Sequence, residues 1–86
     1  MSRGSPLPVK LYGRPGCHLC DEAREAIHEL GASRSIELRE VDIESDDGLL
    51  ATYLERIPVV EVAGREVSEL VFDRDAFARA LHTVEP

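Results

Sequence analysis

Tyr12-Gly13-Arg14-Pro15-Gly16-Cys17-His18-Leu19-Cys20-Asp21-Glu22-Ala23 is the stretch on which the fold turns. Just before it, Val9-Lys10-Leu11-Tyr12 alternates apolar and polar positions, the period of a strand. Gly13-Arg14-Pro15-Gly16 is turn chemistry. A helix follows from about Cys17 to Leu30, with Gly31 as its C-cap. At about 100° per residue, Cys20, Ala23, Ala26, Ile27 and Leu30 share one apolar stripe. His18, Asp21, Glu22, Glu25, His28 and Glu29 share the opposite, wet face. The two cysteines therefore differ in setting. Cys17 sits at the mouth of the helix and Cys20 one turn on, facing inward.

Working outward, Ile36-Glu37-Leu38 through Val41-Asp42-Ile43 reads as a second strand with a phase break at Glu40. Ser45-Asp46-Asp47-Gly48 offers N-caps for a helix carrying Leu50, Tyr53, Leu54 and Ile57. Pro58-Val59-Val60-Glu61-Val62 is a third strand, and a tight turn at Ala63-Gly64 leads into a fourth from Arg65. Asp73 caps a last helix with the stripe Ala76, Phe77, Ala80, Leu81 and Val84. The order β-α-β-α-β-β-α predicts an α/β fold with a right-handed crossover and parallel pairing at the front. Residues 1–86 read as one domain, with 1–7 as a flexible N-terminal arm.

Composition narrows the function. With 43% hydrophobic and 31% charged residues the chain is a soluble globular domain rather than a disordered one. No apolar run is long enough to span a membrane, and the first eight residues lack a signal-peptide core, so a cytoplasmic protein is expected. A net charge of −7 repels phosphate backbones and argues against nucleic acid. Residues 1–20 hold Arg3, Lys10 and Arg14 and no acid, whereas residues 21–86 hold 7 basic and 17 acidic side chains. That is either a solvated acidic face alone or a basic region set beside the cysteines.

A C-x-x-C pair is a poor staple, because so short a loop removes little entropy from the unfolded chain. Its chemistry is more telling. The thiolate, not the thiol, is the nucleophile, and a helix start supplies unpaired N–H groups and partial positive charge that favour it. Cys17 meets that condition. Arg14, and His18 when protonated, add to it, while Asp21 and Glu22 oppose it. Around an inward Cys20, desolvation disfavours the thiolate. One exposed thiolate to attack a disulfide and one sheltered thiol to resolve the product is what dithiol exchange requires. A zinc site needs about four ligands. His28 lies eight residues beyond Cys20 on the same helix, about 12 Å away, and His82 falls in the last turn of the final helix. A zinc site within one chain is therefore disfavoured. Pro58 either simply begins the third strand or closes a cis Ile57–Pro58 bond, a form taken by about 5–6% of such bonds.

Together, the Tyr12–Ala23 stretch and Arg56-Ile57-Pro58-Val59-Val60 resemble the glutaredoxin-like branch of the thioredoxin superfamily, over about residues 8–82. The resemblance implies a four-stranded sheet in order 2-1-3-4 flanked by three helices. It implies Cys17 as nucleophile and Cys20 as resolving thiol. It places a cis Pro58 facing the pair, and the Ile57 backbone against a bound substrate. Arg14 falls where glutaredoxins often carry a basic residue. With His18 at the exposed helix start, Arg14, Ile57 and Pro58 make the expected substrate-binding set. Two departures bear on glutathione: Ser68 and Glu69 occupy the usual Gly-Gly, adding side chains and an acid where glutathione would lie.

The expected function is a thiol–disulfide oxidoreductase, acting as a monomer on a disulfide-containing protein or small disulfide. It has no cofactor beyond its own Cys17–Cys20 disulfide, an unassigned reductant, and no strict dependence on glutathione. Two alternatives stand beside it: a metal or iron–sulfur carrier holding its cluster through Cys17 of two chains, and a non-catalytic binding module.

Overall fold

The computed structural model describes residues 6–83. Its sheet is built from β1 (Leu7–Gly13), β2 (Ile36–Asp42), β3 (Val59–Val62) and β4 (Arg65–Glu69), in the order β2-β1-β3-β4. β1 pairs parallel with β2 and antiparallel with β3, and β3 pairs antiparallel with β4. Three helices flank it: α1 (His18–Leu30), α2 (Asp47–Tyr53) and α3 (Arg74–Thr83).

The period-2 pattern of β1 sorts the core. Leu7, Val9 and Leu11 point to one face, where they pack with Ala23 and Ile27 of α1, Val60 and Val62 of β3, and Phe77 and Leu81 of α3. Tyr12 points to the other, where it meets Ile43 and Val59 under α2. The strand starts at Leu7, which is buried, so residue 7 belongs to the sheet and not to an arm. Burying its side chain between the sheet and the helices outweighs the freedom that an arm would keep. The arm's residues 1–5 and Val84 of the last stripe lie outside the described residues.

The α1 stripe is as expected: Cys20, Ala23, Ala26 and Ile27 are buried, and Leu30 is half-buried. Gly31 caps the helix, but its φ of −85° is right-handed and the chain runs on into a 3₁₀ turn over Gly31–Ser33. A Cβ there would press on Ile36, whose Cδ1 would lie 2.6 Å away and have to shift. In β2 the burial alternation breaks at Arg39–Glu40, turning Glu40 outward as its sequence phase suggests.

α2 is shorter than its apolar pattern implies. Asp46 caps it, its carboxylate accepting from Leu49 N at 3.1 Å. The helix stops at Tyr53, leaving Leu54 exposed and Ile57 beyond its end. Leu50, Tyr53 and Ile57 still pack against the Tyr12 cluster as expected, joined by Leu49 in place of Leu54. Pro58 keeps Ile57 itself out of the helix, since a residue before proline is driven out of helical dihedrals. After Tyr53 the chain turns through bonds from Arg56 N and Ile57 N to Tyr53 O. The β3–β4 hairpin closes on Ala63 and Gly64, both at positive φ, the geometry that matches strand twist in a two-residue turn. Asp73 caps α3 by accepting from Ala76 N at 2.9 Å.

Candidate functional site

The site is assembled where β1 runs into α1. Gly16, at φ +78°, turns the chain so that Cys17 becomes the N-cap of α1. An N-cap side chain accepts from an otherwise unpaired N–H of the first turn. Here Cys17 Sγ accepts from Cys20 N at 3.1 Å. Cys17 is half-buried, Cys20 is 2% exposed, and the two are joined as a disulfide with Cα atoms 5.2 Å apart. The outer sulfur is thus at the helix mouth and the inner one beneath it, as the helix phase implies, but Cys17 is half-buried rather than exposed because its Sγ turns in to cap α1 and meet Cys20.

Ile57–Pro58 is cis, and Pro58 is fully buried. Tyr12 pairs with Val59, so Gly13 and Pro58 lie one step further along the same two strands. Gly13 in turn touches Cys20: a Cβ built on it would lie 2.9 Å from Cys20 Sγ. The cis bond thus enters β3 beside the end of β1, the strand whose last residue, Gly13, abuts Cys20.

The other two expected residues stand differently. Arg14 is paired with Glu44, and His18 is 84% exposed in its side chain, with Nε2 3.0 Å from Glu22 on the outer face of α1. The basic character read from residues 1–20 is therefore offset locally by acids from later in the chain. Behind the disulfide, a cleft of about 240 Å³ is lined by Gly13, Cys20, Arg24, Glu40 and Asp42 among others. Arg24 binds both carboxylate oxygens of Glu40 and also Asp21. These bonds, to Glu40 first and Asp21 second, hold its guanidinium still more firmly in the charged form. The Asp21–Arg24 half of this cluster was legible as an i,i+3 helix pair. The Glu40 half depended on the outward turn of β2 and on strand order.

Glu69 likewise is not the free acid that its sequence position suggests. Arg56 donates to it at 2.8 Å and also binds Glu66. The Arg56 guanidinium lies 5.4 Å from the Tyr53 ring centroid. Tyr53 stacks on Tyr12 with centroids 4.4 Å apart. The backbone joins in, Leu70 N donating to Arg56 O at 2.9 Å. Arg56 thus ties the segment before Pro58 to β4, and the electrostatic part of the case against glutathione weakens accordingly. Burial pushes the Tyr12 hydroxyl up to about 12, with help from the Glu61 charge and from Tyr53.

Among the described residues no group of three or more His, Cys, Asp or Glu side chains is arranged to hold a metal ion. Among the same residues no helix is long and apolar enough to cross a membrane.

With this geometry in hand, comparison with known proteins is informative. The glutaredoxin-like domain model (DUF836) matches residues 8–82. The chain belongs to this glutaredoxin-like family. An X-ray structure of the target protein XcR50 from X. campestris is 33% identical, covers 90% of this chain and 99% of its own, and superposes with a TM-score of 0.73. Protein Ne2328 from Nitrosomonas europaea is 28% identical, covering 87% and 91%, with a TM-score of 0.76. A mutant thioredoxin from Halobacterium salinarum shares 16% identity over 99% of this chain and 82% of its own, at a TM-score of 0.65, which speaks for the fold alone. No curated protein matches the chain. Membership of this family and a cysteine pair at disulfide distance support a redox-type function.

Proposed function

We propose that this glutaredoxin-like protein is a thiol–disulfide oxidoreductase that works through both sulfurs. The observation that carries the reading is Cys17 Sγ at the N-cap of α1, bonded to Cys20 N, with Cys20 buried behind it as its disulfide partner. In the reduced protein the same N–H and the helix start favour the Cys17 thiolate. That thiolate attacks one sulfur of a substrate disulfide, and the substrate's other sulfur leaves as a thiolate. Cys20 then gives up its proton and attacks Cys17 Sγ, releasing the second substrate thiolate. Two electrons have passed to the substrate and the Cys17–Cys20 disulfide has re-formed. A dithiol or small-thiol reductant restores the pair by the reverse exchange.

The substrate is a protein or small-molecule disulfide. Ile57 and cis Pro58 present the backbone against which it docks, with Arg14 and His18 at the rim. Glutathione alone is a weak donor, because Ser68 and Glu69 put side chains where close backbone approach is needed. The protein acts as a monomer in the cytoplasm, since one chain supplies both sulfurs and a reducing compartment keeps the pair cycling.

The test is turnover of a disulfide-linked protein substrate with dithiothreitol or glutathione as donor. Wild type is expected to accelerate reduction with dithiothreitol and much less with glutathione. Cys17→Ser is expected to abolish the acceleration, and Cys20→Ser to trap a mixed disulfide on Cys17. Full activity of Cys17→Ser would refute the proposal.

A further inference from the structure

The end of β1 is occupied by Gly13, whose backbone pairs with Asp42 of β2. A methyl group at this position would lie 2.9 Å from Cys20 Sγ and 3.2 Å from Cys20 Cβ. Non-bonded carbon contacts settle at about 3.5–4.0 Å, so the sulfur already fills the space that a side chain would use. The two redox states feel that space unequally. In the disulfide, the bond to Cys17 holds Cys20 Sγ in one place. In the dithiol that restraint is gone, and a side chain on a helix still has about two staggered χ1 positions open to it. The contact with Cys20 Cβ is common to both forms, whereas crowding of Sγ falls on the oxidised form and is relieved by rotation about χ1 in the reduced one.

We propose that Gly13 is a positioning residue for the redox pair: its missing side chain is the seat of Cys20 Sγ in the disulfide, and that vacancy biases the pair toward the oxidised state. The inference rests on the dithiol reading above.

The experiment equilibrates each protein with reduced dithiothreitol and its cyclic disulfide. In this exchange the protein disulfide takes up two electrons and two protons as dithiothreitol closes its ring. Free Cys17 and Cys20 are read by mass after alkylation. Gly13→Ala is expected to shift the equilibrium toward the dithiol by about tenfold, a rise in potential of about 30 mV. Gly31→Ala is the control, since its Cβ would press on Ile36 at 2.6 Å, away from the pair. It is expected to lower the stability of both redox forms and leave the potential unchanged.

A Gly13→Ala potential within about twofold of wild type in equilibrium constant overturns the proposal. Should oxidised Gly13→Ala fail to fold, the same substitution in a Cys20→Ala background decides. With the sulfur gone only the 3.2 Å Cβ contact remains, so a smaller loss is expected, and a loss as large as that in the oxidised protein overturns the assignment. A wild-type chain that forms no reversible disulfide with dithiothreitol removes the dithiol reading itself, an outcome distinct from an unmoved potential.

Discussion

Raising the pH should weaken this protein through one side chain, Tyr12. Its ring is 7% exposed, stacked on Tyr53 beneath the segment that leads to Pro58. Burial first, then the neighbouring Glu61 charge and Tyr53, pushes its hydroxyl up to about 12 from an ordinary value of 10.0. The sign follows from proton binding. Below the ordinary value both folded and unfolded chains keep the proton, and Tyr12 adds no pH dependence. Between about 10 and 12 the unfolded chain loses it while the folded chain does not, so stability falls with rising pH. At about 1.4 kcal/mol per pH unit, the loss across that window approaches 2–3 kcal/mol. Tyr12→Phe removes the group and should flatten the window. Two assays check it: the difference in tyrosinate absorbance between wild type and Tyr12→Phe, and urea midpoints of both proteins across alkaline pH. A difference signal centred on the ordinary tyrosine value, or wild-type and variant midpoints that fall in parallel, would refute the reasoning.

Other outcomes are expected. Phe77→Ala empties a fully buried site on α3 and should cost about 3–5 kcal/mol in a denaturant melt, a large part of a small domain's total. Asp73→Ala removes the α3 cap and should cost about 1 kcal/mol without changing disulfide-exchange rates. Arg14→Gln should slow Cys17 alkylation by less than about fivefold. The guanidinium is half-exposed and already engaged by Glu44, and exposed pairs are worth about 0–1 kcal/mol. Gly64→Ala puts a side chain at φ +84° and should lower the melting temperature by an amount matching about 1–2 kcal/mol.

Local patterns carried much of this fold into view. The period of β1, the stripe of α1 and the turn at Ala63–Gly64 each depend on neighbours in sequence, so strand, helix and hairpin were readable. The sheet order and the cis bond were anticipated through the resemblance rather than from propensity. Contacts between distant segments were hidden. Arg24 meets Glu40 only because β2 lies beside β1, and Arg56 meets Glu66 and Glu69 only because the hairpin folds back. The end of α2 was misjudged because apolar spacing continued past Tyr53, while the proline at position 58 kept Ile57 out of the helix. Gly13 read as ordinary turn chemistry. Its closeness to Cys20 Sγ emerges only when α1 is laid against β1.

The central claim is that the two sulfurs are chemically unequal once reduced. A brief pulse of limiting alkylating agent near neutral pH, followed by peptide mapping, measures this directly. A helix-start N–H bond and dipole are together worth about 1–2 kcal/mol to the Cys17 thiolate, and each 1.4 kcal/mol is about tenfold in its population. Burial withholds Cys20 from reagent altogether. Cys17 is expected to be labelled at least about tenfold ahead of Cys20, with Cys20 catching up only in denaturant. Equal labelling of the native dithiol, or Cys20 labelled first, would contradict it.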